Sequence, residues 1–577
     1  MRGKWLTLVL VSVIVLGACG PAAKDETPTP GTAPTSAPQA TATPATGAAP
    51  TAGPRSTPTA APSPTAAATT PKRGGVFRFA FRTDPPYWDF YSVHSDPVTS
   101  SRNLVFTKLF TLPLDPDAPC KDVVTPVAAQ SWRWIDDSNL ELKLKPGIRW
   151  PNKAPMNGRE MTADDVVYSF DAFRKFVTME SMSRNVEKVT AKDRYTVVFT
   201  TVKPFSSLVL NVMATHFGLA VVPPEGGGPS FDWKDANKSW VGSGPFAFKQ
   251  WMPGVKWTFE RNPTFFREGL PYIDGVEFLN MPDVSSRMAA LRSGQLDMEQ
   301  QKSPVLVESL TKQRPDLKVV RCPGIAPEAI YMRTDKAPFN DVKVRRAISM
   351  ALDRKAIVDT LYGGQGVPVA VLPPGTPYAL AVEDFPPETR KYLERNPAEA
   401  KRLLAEAGFP RGLSTSLTVT WRYESPYKEL AEALVAMLAD VGVEVKLDPV
   451  EYGLWTGSVL RGEIDNMAMT HTRMETPEGT SSLASFDSRN PFAANRSHVV
   501  DPELDKLIDQ LARTFDESKR TETARQIQVL AVDRAYRVMM PERLDTVIYQ
   551  PYWKRIGWKA EAKDFGNLLE EAWLDRK

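Results

Sequence analysis

The sequence predicts an α/β protein with more than one sheet, and three observations carry that expectation. Strand and helix signals alternate from about residue 73 to the C-terminus. At 577 residues, 42% hydrophobic and 24% charged, the chain is ordinary globular material with enough apolar residues for several cores. The clearest helical patterns stop at glycines, and one runs directly into a strand pattern.

Taken from the N-terminus, Arg2 and Lys4 precede "WLTLVLVSVIVL", an apolar run of signal-peptide length that is too short to span a bilayer. The following Leu16-Gly17-Ala18-Cys19 resembles a bacterial lipobox, so residues 1–18 read as a lipoprotein signal peptide and Cys19 as its lipidation site. An ordinary cleavage site with an incidental cysteine is the alternative. Acyl chains on Cys19 would hold the protein at the outer face of the cell membrane, or in the periplasm, without a spanning segment. Residues 19–72 are dominated by Pro, Ala, Thr, Ser and Gly and lack the apolar bulk for a core. They read as a disordered tether of roughly 50 residues at up to about 3 Å each. Of the three cysteines, Cys120 and Cys322 remain. They either pair in this disulfide-permissive setting or stand as separate buried thiols.

In the folded part, Val76, Phe77, Phe79 and Phe81 suggest a first strand ended by Asp84-Pro85-Pro86. "LELKLKPGIRW" alternates as a strand, and "MTADDVVYSFDAFRKF" begins a helix with Thr162 as N-cap and acidic residues in its first turn. "NPAEAKRLLAEAGF" and "YKELAEALVAMLADVGVEVKL" are helices closed by Gly408 and Gly442. The basic stretch from Lys336 to Ile357 places Val344, Ala347, Ile348, Ala351 and Leu352 on one helical face, with Asn340 as N-cap and Asp341 in the first turn. It is therefore a scaffold helix with a core face, and Asp353 caps a second short helix behind it.

A net charge of +3 with interspersed signs argues against nucleic acid as a partner. Catalytic motifs are missing as well: "GGGPS" and "GSGPF" lack a phosphate-loop Lys, and no Gly-x-Ser-x-Gly elbow occurs. The four histidines, His94, His216, His471 and His498, show no metal-ligand spacing, so neither a metal nor a cofactor is expected. An exported hydrolase with a carboxylate pair stays open, since pair separations are not readable from sequence. Aromatics are abundant, with 14 Trp, 15 Tyr and 26 Phe. Tyr87, Trp88, Phe90, Trp421, Tyr423 and Trp455, lying near turn and polar residues, are candidates for the walls of a ligand pocket. Each could equally be a packing residue.

Several segments together resemble the extracellular solute-binding proteins of family 5, the oligopeptide, dipeptide and nickel-binding components of ABC importers. They are "VVTPVAAQSWRWIDDSNLELKLKPGIRW" with "NGREMTADDVVYSF", "VGSGPFAFKQWMPGVKWTFERNPTFF", "MAALRSGQLDM" and "PFNDVKVRRAISMALDRKAI". The likeness runs from Gly74 to the C-terminus. It implies a two-lobed periplasmic-binding-protein fold of type II, large and cluster-C-like, with a hinge and an extra subdomain. The implied boundaries are 73–111, 238–330 and 542–577 for lobe 1, 112–237 for its subdomain, and 331–541 for lobe 2. It further implies a monomeric, non-enzymatic receptor that captures a small, peptide-like solute between the lobes and delivers it to the transmembrane subunits of an ABC permease.

This chain departs from the peptide binders where an acidic loop meets a peptide amino terminus. "DNMAMTHTRMETPEGT" lacks their Trp and Asp-Pro, leaving Glu475 as the candidate carboxylate with Arg473 and His471 beside it. Arg333 stands where the family commonly has Asn, and is expected either to pair with a ligand carboxylate or to bridge the lobes. An oligosaccharide on aromatic platforms is the alternative ligand.

Overall fold

The phenylalanines that alternate near residue 80 form β1 (Val76–Phe81), the middle of the largest sheet. The structure, a computed structural model, describes residues 70–85, 88–90, 95–112, 124–175, 183–215, 218–227, 240–301, 303–324, 326–421, 427–472, 479–490, 495–556 and 565–575. All of them belong to one compact unit, Thr69–Lys577.

After β1 the chain builds an antiparallel sheet from β2 (Ala129–Asp136), β3 (Asn139–Leu144), β4 (Val186–Asp193) and β5 (Thr196–Thr201), in the order β2-β3-β5-β4. It then returns to the first sheet with β6 (Phe246–Met252), β7 (Lys256–Arg261), β8 (Gly275–Asn280), β9 (Met298–Gln301) and β10 (Lys318–Pro323). A second sheet holds β11 (Glu328–Met332), β12 (Leu413–Val419), β13 (Val443–Pro449), β14 (Met467–His471) and β15 (Arg537–Met539), in the order β13-β12-β14-β11-β15. Finally β16 (Glu542–Tyr549) re-enters the first sheet, whose order is β10-β16-β9-β1-β8-β7-β6 with Gly366–Val367 also on β16.

β1 runs parallel to β8 and β9, an arrangement that requires apolar cover on both faces. Phe79 and Phe81 meet Phe278 and Phe565 on one side, while Ala80 packs with Leu291 and Ile548 on the other. The four-stranded sheet shares the first sheet's core without a break. α1 (Ala163–Phe173) lays Val166 and Phe170 over Val197 and Phe199, in the same apolar cluster as Phe77 and Trp257. Thr162 stands at its N-cap, with its N–H donating to the Asp165 carboxylate at 2.8 Å.

One face of the second sheet, with Ile330, Leu417, Met467 and Val538, packs under α2 (Val342–Ala351), α3 (Pro397–Glu406) and α4 (Tyr427–Ala439). Val344, Ala347, Ile348 and Ala351 all lie in that core. The N-cap of α2 is Asp341 and not Asn340, because the Asp341 carboxylate takes the Lys343 N–H at 2.8 Å. α5 (Pro502–Arg513) and α6 (Glu517–Asp533) bury Leu504, Ile508, Leu511, Ala524 and Ile527 against Tyr378 and Leu483.

Gly408 and Gly442 have φ of +93° and +86°, the left-handed backbone that ends a helix. Beside Gly442, Gly412 has φ +89°, and a Cβ there would stand 2.2 Å from the Gly442 carbonyl oxygen. Gly412→Ala is accordingly expected to destabilise the protein by about 2–3 kcal/mol in denaturant unfolding, from the disfavoured φ plus the clash. Cys322 is buried on β10 and disulfide-bonded. Cys19 and Cys120 lie outside the described residues.

Candidate ligand site at the sheet crossings

The chain passes between the two large sheets twice, from Pro323 to Glu328 and from Met539 to Glu542. Backbone bonds tie the crossings together: Met540 N–H donates to the Glu328 carbonyl at 2.9 Å, and Gly324 N–H to the Arg543 carbonyl at 3.2 Å. At this end β1, β8 and β9 of the first sheet and β12, β13 and β14 of the second all finish. Carboxyl ends of parallel strands are where open α/β sheets bind ligands, because the chain must leave the sheet there and its loops diverge. The candidate site is thus the region between the two sets of strand ends.

At its base lies a buried charge cluster that joins the sheets. Arg543 on β16 donates to the Glu328 carboxylate on β11 at 3.1 Å, and His471 Nδ1 at the end of β14 stands 3.7 Å from the same oxygen. Glu542 and Asp545 are buried nearby. Burial opposes the charge on Arg543, but Glu328 first, then the field of Tyr362, Glu542 and Asp545, raise its pKa above the ordinary value. Burial, followed by the Glu328 carboxylate, pushes the Tyr362 hydroxyl well above its usual range.

On the other face of the second sheet, Arg537 donates to the Tyr331 hydroxyl at 3.1 Å and to Ser485 Oγ at 2.8 Å, with its guanidinium 4.5 Å from the Phe486 ring centroid. Arg496 lies 5.5 Å from the Tyr331 ring centroid and donates to the His471 carbonyl at 2.9 Å. Burial alone would raise the Tyr331 hydroxyl, yet Arg537 and Arg496 outweigh it and hold it below the usual tyrosine value. Sequence reading missed Glu328, Arg543, Arg496 and Arg537. Their signal is in pairing across the fold, not in local spacing.

Of the aromatic candidates, Trp421 follows β12 at the strand ends and is 41% exposed. Trp88, Phe90 and Trp455 are buried, each packed in an apolar cluster. The Trp88 ring meets Trp240 at 5.0 Å, Phe248 at 5.2 Å and Trp251 at 5.6 Å, and Phe90 packs on Phe106 and Trp240. Trp455 is fully buried under the second sheet with Tyr331, Val369 and Val459. Trp88 and Phe90 lie in irregular backbone and Trp455 on the short helix Tyr452–Gly457, and all three turn inward because their large rings complete apolar clusters supplied by distant parts of the chain. Arg333 has partners within the second sheet's own flank. Its guanidinium grips Asp335 at 2.7 and 2.6 Å and the Ile464 carbonyl at 2.9 Å, so its demand for a carboxylate is met two residues along. Tyr87, Tyr423, Arg473 and Glu475 lie outside the described residues. Among the described residues no group of three or more His, Cys, Asp or Glu is placed to hold a metal, and no helix is long and apolar enough to cross a membrane.

Two sheets joined by a double crossing, with strand ends converging upon it, define the two-lobed binding-protein architecture. The chain belongs to the bacterial extracellular solute-binding proteins, family 5, whose middle region matches residues 123–493. It is 25% identical over 470 residues to a di/tripeptide-binding protein of Pseudomonas aeruginosa, covering 75% of this chain and 82% of that one. It is 26% identical over 427 residues to the glutathione-binding protein GsiB of Salmonella typhimurium, covering 72% and 79%. In fold it matches the periplasmic binding protein DppA of Helicobacter pylori, solved with the peptide STSA, at a TM-score of 0.72 and 22% identity over 88% of this chain and 99% of that one. Its role is therefore that of a solute-binding protein.

Proposed function

We propose that this protein is a lipid-anchored receptor that captures a peptide-like solute between its lobes and passes it to the transmembrane subunits of an ABC permease. The convergence of both sets of strand ends on the double crossing carries the reading, and relatives named for di/tripeptides and glutathione support the ligand class. In this reading residues 73–111, 238–330 and 542–577 form lobe 1, residues 112–237 its subdomain, and residues 331–541 lobe 2. The crossings are the hinge, and ligand contacts to both lobes favour the closed form by their differential affinity. Cys19 carries the lipid at the outer face of the membrane, Cys120 is the partner of Cys322, and the receptor works as a monomer without catalysis.

Trp421 offers an exposed apolar face to the ligand, with His471 at the end of β14, and Tyr423, Arg473 and Glu475 are proposed as further contacts from their place in the sequence. Trp421→Ala is expected to weaken peptide binding by about fivefold while leaving the melting temperature unchanged. Isothermal titration of the folded protein with di- and tripeptides, glutathione and oligosaccharides tests the ligand class, together with mass spectrometry of ligand carried through native purification. Peptide binding at unchanged peptide mass supports the proposal. A carbohydrate mass with no peptide binding overturns the ligand class, and turnover of the bound peptide overturns the receptor role.

A further inference from the structure

The four-stranded sheet meets the rest of the molecule through two junctions of different character. Toward the first sheet its core is continuous, with Leu140, Phe170 and Phe199 in one apolar cluster with Phe77, Trp257 and Phe278. Such a junction separates only by exposing core. Toward the α5–α6 pair the junction is, among the described residues, thin and mostly polar. Ser206 donates to the Ala512 carbonyl through its N–H at 3.0 Å and through Oγ at 3.1 Å. Lys203 donates to Asp509 at 3.1 Å, and Arg184 to Asn490 Oδ1 at 2.6 Å. Arg520 on α6 donates to Ser206 Oγ, and to Ser207 Oγ at 3.0 Å. Among the described residues one ring pair joins them, Trp134 edge-on to Phe515 at 4.9 Å, with Phe515 still 39% exposed.

The side that belongs to α5 and α6 is braced independently of the junction. Arg520 also donates to the Tyr378 hydroxyl at 2.8 Å and to the Thr514 carbonyl at 3.1 Å, and Arg489 holds Asp509 at 2.8 Å. Each half therefore keeps its shape when the two are parted. Arg489 and then Lys203 hold the Asp509 carboxyl down at about 2, so its charge persists through the neutral range. Hydrogen bonds and ion pairs of this kind exchange readily for water, and their net contribution is small enough to be reversible.

We propose that residues 203–207 and the α5–α6 turn form a reversible clasp between the lobes, which biases the ligand-free receptor toward the closed form. The subdomain is then the arm by which lobe 1 reaches lobe 2 at a second place besides the hinge. Residues that never touch the ligand set its apparent affinity, because that affinity scales with the fraction of protein already in the competent form. The proposal rests on the lobe division given above.

The test uses the ligand-free protein, so its failure is distinguishable from a failure of the peptide reading. Zero-length carbodiimide coupling should link Lys203 to Asp509 in the wild type, detected by peptide mass spectrometry. Phe515→Ala, which removes a half-exposed ring from the clasp, should lower the yield of that link about threefold. Lys203→Glu combined with Phe515→Ala should enlarge the radius of gyration in small-angle scattering, with a cooperative thermal melt retained as the check on folding. Absence of the link in the wild type overturns the proposal. So does an unchanged link yield in Phe515→Ala, or an unchanged radius of gyration in the folded double variant.

Discussion

Replacing Arg543 by methionine is expected to cost about 3–5 kcal/mol of stability, because the remaining Glu328 carboxylate is left buried without its cation. Glu328 is 2% exposed, and Glu542 and Asp545, whose fields also act on Arg543, are 4% and 1% exposed. His471 at 3.7 Å is too distant to replace the hydrogen bond. The loss is predicted to depend on pH in a definite direction. Removing a neighbouring cation favours the protonated form of a buried carboxylate, so the penalty is full at pH 8 and shrinks as acid is added. Denaturant titrations of wild type and variant at pH 8 and pH 5 measure this. An equal difference at both pH values would refute the role of Arg543 as the neutralising group. Adding Glu328→Gln to the variant should recover part of the loss, since one of the three carboxylates is then gone.

Trp88→Ala should cost a similar amount, about 3–5 kcal/mol, for a reason that involves no charge. The ring is fully buried among Trp240, Phe248, Trp251 and Trp257, and alanine leaves a cavity that these rigid rings fill poorly. The variant that still folds should bind ligand as the wild type does, the reverse of the pattern expected for Trp421→Ala. Urea unfolding alongside calorimetric titration separates the two effects. A large loss of affinity without loss of stability would return Trp88 to the ligand site.

These contrasts show how far local sequence reached. The Thr162 N-cap position and the left-handed Gly408 and Gly442 are short-range features. All of them are legible because capping and backbone preference are decided within a few residues. The phenylalanines of β1 were legible through their two-residue period. The site was less so. Trp88 follows a Pro-rich turn, which gives it the composition of a surface loop, yet its neighbours come from residues 240–257. Composition does not say which side of a loop faces the core. Glu328 and Arg543 are 215 residues apart, and no spacing rule connects them. Arg333 is the opposite case: Asp335, two residues on, was visible in the sequence and sufficient to occupy the guanidinium.

The two rungs that join the crossings restrict the motion available to the molecule. Met540 to Glu328 and Gly324 to Arg543 lie side by side, and a Cβ at Gly324 would fall 2.3 Å from Glu542 Oε1, so a side chain there would displace that carboxylate. Swivelling or sliding one strand past the other breaks both rungs, whereas flexing about the line through them breaks neither. In the receptor role proposed above, the lobes would turn about that line, with the pairing of Gly366 and Val367 to Arg543 and Glu542 as a further tie beside the rungs, and a grip on the cargo would be expressed as the angle between the lobes.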